Sequence, residues 1–352
     1  KKKCEIFVFS TQPSYKKSTG IKFRQKDKIN NIKIRKIFIL RNNYKFFNQL
    51  FNNFYYLVRL FIFILFSRKF DYVIASSYPP IMTALIASLL CKIKGQKFIY
   101  HIMDIHPEIG RISGEFRNKF LFEFLLLMDK CTCFLSHKII VLSEDMKNTM
   151  LQRTSSDKIS VINNFSISNF QKISVNSCPK KKIKFIFAGN VGRFQGLEYF
   201  FEALKDIKTK NQFEFIVMGD GKEAEKLKYL KNLYSLNSVR FIPHKNYDEA
   251  ALMIQESDVC VLSLLPELTK YAFPSKALVY LELKKPILAT IDMECELAHI
   301  VKRKGNGVIV KPGNSLEIKK AIEEIVDSEL KLLNLKKAAL DFKSKHYKKG
   351  YS

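Results

Sequence analysis

Paired cysteines of the metal-binding kind are missing from this 352-residue sequence. It has seven cysteines, an odd number, and no two of them form a CxxC pair. The spacing therefore indicates neither a zinc site nor a disulfide framework. Because scattered thiols fit a reducing compartment, we expect a cytoplasmic protein. The cysteines are Cys4, Cys91, Cys131, Cys133, Cys178, Cys260 and Cys295.

Acidic residues are also scarce. Lys and Arg number 60 against 33 Asp and Glu, which gives a formal net charge of +27. This excess indicates an anionic partner: a nucleic acid, an anionic membrane surface or a phosphorylated substrate. A composition biased towards Lys, Asn, Ile and Phe is the alternative explanation. Since the lysines are spread along the whole chain and no nucleic-acid-binding motif is present, we expect no nucleic acid partner.

A hydrophobic run long enough to cross a membrane is missing as well. Residues 46–66 predict a helix rich in Phe, Tyr, Leu and Ile, but Arg59 interrupts its apolar core at 54–66, which is too short to span a bilayer. The densely basic residues 16–45 precede this helix. We expect the helix to lie in the interface of an anionic membrane, with a buried crossover helix as the alternative.

Strand and helix patterns alternate along most of the chain. This alternation predicts parallel sheets covered on both faces, and 47% hydrophobic residues are enough for a sizeable core. Residues 164–182 break the pattern because they are polar and close with a run of lysines. We therefore predict an α/β protein with two doubly wound domains, residues 1–163 and 183–352, joined by a linker at 164–182. A cleft should face the carboxyl ends of both sheets.

Residues 185–196, FIFAGNVGRFQG, predict a strand, a glycine-rich turn and the start of a helix. The glycines miss the Rossmann spacing, and no Walker A ending follows. Such a turn still offers backbone N–H groups to an anion. Arg193 adds a guanidinium group, which is suited to phosphate oxygens. Lys276 lies at the start of a later helix, where the helix dipole disfavours a cation unless an anion is bound beside it. We predict a diphosphate site, with two solvated surface cations as the alternative.

Other polar motifs also fall at the carboxyl ends of predicted strands, where ligands bind in such folds. In the second half they are Gly219-Asp220-Gly221 and Pro274-Ser275-Lys276. In the first half they are Ser76-Ser77 and the stretch from Asp104 to Glu108.

An ordered series of segments in the second half resembles a family 4 glycosyltransferase, and the branch that builds bacterial surface polysaccharides, with its fucosamine transferases, is the most similar. The segments are AGNVGRFQGLEYFFEAL, FIVMGDG, VRFIPH, FPSKALVYLELKKPIL and GNGVIVKPGN. DYVIASSYPP, KFIYHIMDIHPE, KIIVLSEDM and KISVINN agree in the first half, so the resemblance covers nearly the whole chain. It implies a GT-B fold, in which two Rossmann-like domains face a central cleft and the C-terminal one holds a nucleotide-sugar.

The resemblance also implies residue roles by position. The donor diphosphate would be bound by Gly192, Arg193, Ser275 and Lys276. The nucleoside would be bordered by Gly219, Asp220, Gly221, Ile242 and Pro243, and Glu282 would substitute for a glutamate that binds the ribose in the family. Asp104 and His106 would be catalytic, and Ser76, Ser77 and Glu108 would lie on the acceptor side.

The implied reaction retains anomeric configuration and needs neither metal nor cofactor. This agrees with the lack of an aspartate-x-aspartate pair in the sequence. The nucleotide-sugar, expected to be UDP-linked, is a substrate. Its diphosphate would leave as the acceptor hydroxyl enters on the same face. Fixed cations and N–H groups would stabilise the charge that accumulates on the leaving group.

Three departures from the family pattern qualify this prediction. Where the family has a ribose-binding glutamate, the chain has Val279, and Glu282 one turn later is the candidate substitute. Where many relatives have a histidine, it has Met103. The family has a first strand and a glycine-rich loop before the segment that corresponds to CEIFVFSTQPSY, and this sequence lacks them. Relatives also continue beyond the segment that corresponds to HYKKGYS. We therefore expect a fragment that lacks part of the acceptor side.

The leading prediction is a retaining glycosyltransferase of O-antigen or capsule biosynthesis, peripheral on the inner face of the cell membrane. Its partners would be a nucleotide-sugar, a lipid-linked or saccharide acceptor and an anionic membrane. A degenerate, inactive homologue that binds a nucleotide-sugar or a partner enzyme is the alternative. A sugar-nucleotide epimerase, which would have the same two-domain architecture, is a further alternative.

Overall fold

The computed structural model describes residues 4–11, 26–29, 32–39, 46–77, 79–164 and 182–341. The chain divides into two compact units. The N-terminal unit comprises Lys1–Pro107, Asn118–Ile140 and Arg153–Ile159, and the C-terminal unit comprises Glu108–Arg117, Val141–Gln152 and Ser160–Ser352. Most of the predicted linker lies outside the described residues, so the boundaries 1–163, 164–182 and 183–352 stay predictions.

The N-terminal unit begins with a small sheet of β1 (Ile6–Thr11), β2 (Lys26–Ile29) and β3 (Ile32–Ile37). The strand order is β1-β3-β2, in which β1 and β3 are parallel and β2 and β3 are antiparallel. Strand β2 was not predicted from the sequence. Helix α1 (Phe46–Phe66) follows and coincides with the predicted helix.

A second sheet has the order β4-β5-β6-β7, and its β4–β5 and β5–β6 pairs are parallel. The small and apolar side chains of α2 bury one face of that helix, and the Ser143 hydroxyl begins α5 by accepting the Met146 N–H. The strands are β4 (Tyr72–Ser76), β5 (Lys97–His101), β6 (Lys138–Val141) and β7 (Ile159–Val161). The helices are α2 (Met82–Ile93), α3 (Glu108–Ile112), α4 (Lys119–Leu135) and α5 (Glu144–Met150).

The C-terminal unit is built on a six-stranded parallel sheet with the order β10-β9-β8-β11-β12-β13. The strands are β8 (Ile183–Ala188), β9 (Phe213–Met218), β10 (Val239–Ile242), β11 (Val259–Ser263), β12 (Ile287–Thr290) and β13 (Gly307–Val310). The helices are α6 (Glu198–Lys205), α7 (Ala224–Leu233), α8 (Tyr247–Glu256), α9 (Lys276–Glu282), α10 (Glu296–Lys304), α11 (Ser315–Asp327) and α12 (Glu329–Leu340).

Phenylalanine dominates the core of this unit. Phe185, Phe187 and Phe215 on the strands and Phe200 and Phe201 on α6 are fully buried. Fully buried parallel strands read as continuous apolar runs, which is why the sequence revealed them. The strand order reverses between β8 and β11, and in open parallel sheets ligands bind beside such a reversal at the carboxyl ends of the strands.

Candidate functional site

The loops after β8 and β9 are pressed together at the carboxyl edge of the C-terminal sheet. Gly189 has φ +134° and Gly219 φ +137°, conformations that side chains rarely adopt. A Cβ on Gly219 would stand 2.0 Å from the Gly189 carbonyl oxygen, and one on Gly221 2.2 Å from that of Val191. The Gly189 N–H donates to Met218 O at 2.8 Å. Glycine is therefore required here for loop-to-loop contact.

Gly192, which the sequence analysis assigned to the diphosphate, has a more open environment. Its backbone is extended, and a Cβ there would meet only the Asn190 side-chain amide at 3.0 Å. At this edge of the sheet, the glycines closed in by neighbouring backbone are Gly219 and Gly221 instead. The predicted role of Gly192 stays a prediction.

Lys276 begins α9 and lies against the end of β8. Its Nζ donates to Gln195 Oε1 at 2.9 Å and lies 3.7 Å from the centroid of the Phe187 ring. A Cβ on Gly189 would come within 2.5 Å of Lys276 Cε, so this glycine makes room for the lysine. Burial lowers the pKa of Lys276 to about 7, because an ammonium group loses hydration there. An anion bound beside Lys276 would stabilise the charged form of this lysine.

A cavity of about 150 Å³ opens beside this lysine. Its walls are mainly apolar, and Tyr280 fixes one of them because its hydroxyl accepts the Ala188 N–H at 3.1 Å. Burial raises the pKa of Tyr280 well above its ordinary value. A cavity of this kind suits a planar or apolar group joined to an anion. The lining residues are Ala188, Gly189, Met218, His244, Lys245, Tyr247, Ala250, Ala251, Ile254, Lys276, Val279 and Tyr280.

Arg193 opens a short 3-10 turn and is mostly exposed. Its Nε lies 3.3 Å from Glu223 Oε1, and Glu223 also lies 3.7 Å from Lys226 Nζ. The described residues that line the cavity do not include Arg193. Lys276 therefore lines the cavity, whereas Arg193 is held in an ion pair with Glu223. Arg193 would have to leave this ion pair to contact an anion in the cavity.

The described lining of the cavity includes none of the remaining nucleoside and diphosphate candidates. The Asp220 carboxylate accepts the His244 N–H at 3.3 Å and so ties the β9 loop to the β10 loop. Val279, the residue that departs from the family pattern, lines the cavity. The described cavity lining does not include the other four candidates: exposed Ser275, half-buried Ile242, exposed Pro243 and Glu282, which is exposed at the end of α9.

In the N-terminal unit, Ser77 organises the loop that carries Asp104. Its buried hydroxyl accepts the N–H groups of Met103 at 3.2 Å and Asp104 at 3.3 Å. Asp104 is half-buried, and burial raises the pKa of its carboxyl group. Ser76 ends β4. Ser77 thus positions the candidate catalytic carboxyl through the backbone.

His106 follows in the same loop. Burial, followed by the positive charge of Arg153, lowers the pKa of His106 to about 4, so the imidazole is neutral at neutral pH. Its buried Nδ1 has no hydrogen-bond partner among the described residues. The Arg153 guanidinium donates to the His106 carbonyl oxygen at 2.9 Å. Glu108, the last acceptor-side candidate, begins α3.

Arg153 belongs to a buried polar network that sequence reasoning missed. It forms an ion pair with Asp129 on α4, and both side chains are at most 3% exposed. The Tyr100 hydroxyl donates to Asp129 Oδ1 at 2.9 Å. Gln195, which contacts Lys276, was also missed. Nothing in the local sequence marks these side chains, because their partners lie 24 to 81 residues away.

Metal ligands do not cluster in the part of the chain that the structure describes: no group of three or more His, Cys, Asp or Glu side chains is placed to hold an ion there. The cavity offers the Lys276 ammonium group to an anion. Metal independence of the reaction stays a prediction.

Residues 169–342 match the model of the glycosyl transferases group 1 family. The chain carries a glycosyl transferases group 1 domain. The prediction of a glycosyltransferase is confirmed at the level of this domain. Two curated relatives agree, although the matched stretches cover only 69% and 58% of their own lengths.

The first relative is the probable glycosyltransferase WbjE of Pseudomonas aeruginosa, which is 24% identical over 282 residues, or 76% of this chain. The second is the putative colanic acid biosynthesis glycosyl transferase WcaI of Escherichia coli K12, which is 21% identical over 240 residues, or 64% of this chain.

Solved structures support the fold. Sucrose-phosphate synthase of Thermosynechococcus elongatus has a TM-score of 0.72 at 15% identity, covering 95% of this chain and 83% of its own. Anabaena HepE in complex with UDP has a TM-score of 0.67 at 14% identity, covering 97% and 95%. The predicted α/β class with parallel sheets is confirmed, and it matches GT-B glycosyltransferases.

Proposed function

We propose that the protein is a retaining glycosyltransferase that takes a sugar from a nucleotide-sugar, expected to be UDP-linked. The observation that carries the donor site is Lys276, whose ammonium group is desolvated beside a mainly apolar cavity and close to Gly189. The diphosphate would replace the hydration that burial removes from this lysine. HepE, which shares the fold, was solved with UDP and with UDP-glucose, and this supports the choice of nucleotide.

Further residues complete the donor site in this proposal. Arg193 would leave Glu223 for the diphosphate, and Gly192 and Ser275 would approach the phosphate oxygens. The base would lie near Ile242 and Pro243, with Gly219, Asp220 and Gly221 beside the ribose. Because Val279 offers no carboxylate, Glu282 would have to reach in from the end of α9 to bind the ribose hydroxyls.

The transfer step would use the leaving diphosphate itself. As its bond to the sugar breaks, negative charge grows on the phosphate oxygens, and fixed cations stabilise it. The departing phosphate would accept the proton of the acceptor hydroxyl on the same face of the sugar. Asp104 and neutral His106 would hold sugar hydroxyls from the N-terminal unit, with Ser76, Ser77 and Glu108 on the acceptor side. No metal or cofactor is needed for these steps.

The acceptor in this proposal is a lipid-linked or free saccharide of a cell-surface polysaccharide such as O-antigen or capsule. The name of the relative WcaI, which refers to colanic acid biosynthesis, supports a polysaccharide pathway. A lipid-linked acceptor would place the protein peripherally on the inner face of the cell membrane.

Calorimetry tests the donor site. A panel of nucleoside diphosphates and nucleotide-sugars is titrated into the wild type, Arg193→Ala, Lys276→Ala and Lys337→Ala, an exposed lysine of α12 that serves as the control. We expect each of the first two changes to weaken binding by on the order of ten-fold or more, about 1.4 kcal/mol, and the control to leave it unchanged.

Two results would contradict the proposal. If no nucleotide binds to folded wild-type protein, the donor site is wrong. If nucleotide binds but neither transfer to any acceptor nor slow donor hydrolysis is detected, the chain is a degenerate binding homologue.

A further inference from the structure

Helix α1 exposes an apolar face in place of the polar face expected of a surface helix. Its buried residues Asn52, Leu60 and Ile64 lie on one side. The opposite side is exposed, and Arg59 is the only charged residue in all 21 positions. Apart from Phe66 at the end of the helix, the exposed large apolar residues are mostly spaced three and four apart, so they share one stripe. They are Leu50, Phe51, Phe54, Val58, Phe61, Ile62 and Leu65.

Helix α4 repeats this arrangement. Phe120, Phe124, Leu127 and Phe134 are 87%, 58%, 64% and 78% exposed, at helical spacing along a single face. The opposite face is buried and includes Asp129, the partner of Arg153. Two helices of the N-terminal unit therefore each turn large apolar side chains outward.

Helix α2 joins the two faces. It contacts α1 on one side and α4 on the other, and its own outward residues Leu89 and Ile93 are exposed. The outer surfaces of α1, α2 and α4 thus form one helical layer of the N-terminal unit. We refer to this surface as the outer face. Monomeric proteins rarely leave contiguous apolar patches of more than a few hundred Å² exposed, and larger ones mark interaction sites.

Cations border the outer face. Lys69 follows α1, Lys92 lies in the last turn of α2, and Lys119 and Lys130 lie on α4 beside its stripe; all four are exposed, whereas Arg68 is held in an ion pair with Glu5. Glu123 is the only exposed acidic residue in the sequence of the three helices. The partner that fits is therefore apolar in its centre and negatively charged around it.

An anionic lipid bilayer has this chemistry, whereas a second copy of the chain does not. In a two-fold dimer through the outer face, lysines would meet lysines at the border, at an electrostatic cost. Against a bilayer, phenylalanine and leucine side chains enter the boundary between headgroups and acyl chains. Lysine and arginine stems extend to the lipid phosphates. Among the described residues, no helix has the length and hydrophobicity of a membrane span.

We infer that the outer face of α1, α2 and α4 docks the protein on an anionic membrane. This inference deepens the proposed function and rests on it for the meaning of the contact, which is access to a lipid-linked acceptor. It assigns α2 and α4, in addition to α1, to the lipid contact, so that the whole helical layer rather than one helix carries the binding energy.

The test is cosedimentation of the full chain with vesicles. Phosphatidylcholine vesicles are compared with vesicles that contain about a third phosphatidylglycerol, at low and high salt. The variants are Phe54→Glu on α1 and the pair Phe124→Glu and Leu127→Glu on α4. The controls are Leu316→Glu and Leu330→Glu, which are 60% and 67% exposed but lie in the C-terminal unit. Thermal melting verifies that each variant folds.

We expect the wild type to bind the anionic vesicles and to lose affinity as salt rises. Each set of outer-face changes should weaken binding by on the order of ten-fold or more, and the controls should not. Unchanged binding of the folded outer-face variants would overturn the inference. So would a wild type that binds no vesicles and forms a dimer that the same variants dissociate. Nucleotide titrations of these variants separate a failure of the inference from a failure of the donor site.

Discussion

Burial changes the ionisation of Lys276 at the proposed donor site. A lysine whose pKa lies near 7 has lost much of its hydration. Here the Phe187 ring and the end of β8 exclude water from the Lys276 ammonium group. Gln195 supplies a neutral acceptor that stabilises the ammonium group only partly. A diphosphate bound as proposed would offset the free energy that the lysine loses by burial.

We therefore predict that nucleotide binding takes up protons. With a pKa of about 7, Lys276 is mainly neutral at pH 8. A bound diphosphate favours the charged form and raises the pKa, so a proton enters with the ligand. Affinity should rise as pH falls from 8 through 7. Titrations of UDP in buffers that differ in ionisation enthalpy measure the uptake directly.

The matched control is Lys276→Arg, since arginine stays charged throughout this range. If this variant binds UDP at all, the uptake should disappear. Equal proton uptake in the wild type and Lys276→Arg would assign the effect to another group.

Gly219 should be the glycine least tolerant of substitution at the site. A Cβ there would meet the Gly189 carbonyl oxygen at 2.0 Å, and the backbone has φ +137°. We predict that Gly219→Ala lowers the free energy of unfolding by more than about 2 kcal/mol and abolishes UDP binding, because the β8 and β9 loops must separate. Urea unfolding and UDP titration measure the two effects.

Gly305 provides the comparison. It also has a positive φ, +65°, but a Cβ there would have open space, with Ala338 Cβ 4.0 Å away. Gly305→Ala should cost only about 1 to 2 kcal/mol and leave UDP binding intact. Similar losses in both variants would show that backbone strain, not contact between the loops, dominates at Gly219.

At the scale of elements, the sequence predicted what local patterns determine. The boundaries of α1 were predicted because a mainly apolar segment of 21 residues is too long for a strand. The β2 strand, KDKI, was missed because three of its four residues are charged, and it forms only by pairing with β3.

Local sequence patterns predicted only part of the candidate site. Glycines and cations at strand ends were visible, so the region of Lys276 was predicted. The cavity wall was not, because α8 contributes Tyr247, Ala250 and Ile254 from a helix without any local signal. The separation of Arg193 from the cavity depends on Glu223, 30 residues away. Side-chain pairing across such distances cannot be derived from periodicity.

The Asp129–Arg153 pair joins α4 to the segment between α5 and β7, and we predict that the two side chains are strongly coupled. Arg153→Met should lower the free energy of unfolding by about 3 to 5 kcal/mol, because it leaves the Asp129 charge buried. The double variant with Asp129→Leu should lose less than the sum of the single losses. A double-mutant cycle by urea unfolding measures this coupling, and additive losses would contradict it.

The same variants report on His106. Burial is the main cause of its low pKa and the Arg153 charge the second. In Arg153→Met the pKa should therefore rise from about 4 but stay below the ordinary value, as NMR titration of the imidazole would show. No shift would mean that the guanidinium does not influence His106.

At the scale of the whole molecule, a net charge of +27 is spread over two compact units that carry different predicted tasks. The proposed donor cavity lies in the C-terminal unit, and the outer face lies in the N-terminal unit. Since no residue belongs to both surfaces, nucleotide binding and membrane binding should be separable by mutation.

We predict a double dissociation. Lys276→Ala should lose UDP affinity by on the order of ten-fold or more and bind anionic vesicles like the wild type. Phe124→Glu with Leu127→Glu should do the reverse, because these side chains contribute apolar area to the membrane and nothing to the cavity. Calorimetry with UDP and cosedimentation with vesicles, performed on both variants, complete the comparison. If either variant lost both activities while remaining folded, the two surfaces would be coupled, and membrane binding would have to be treated as part of donor binding rather than as a separate anchor.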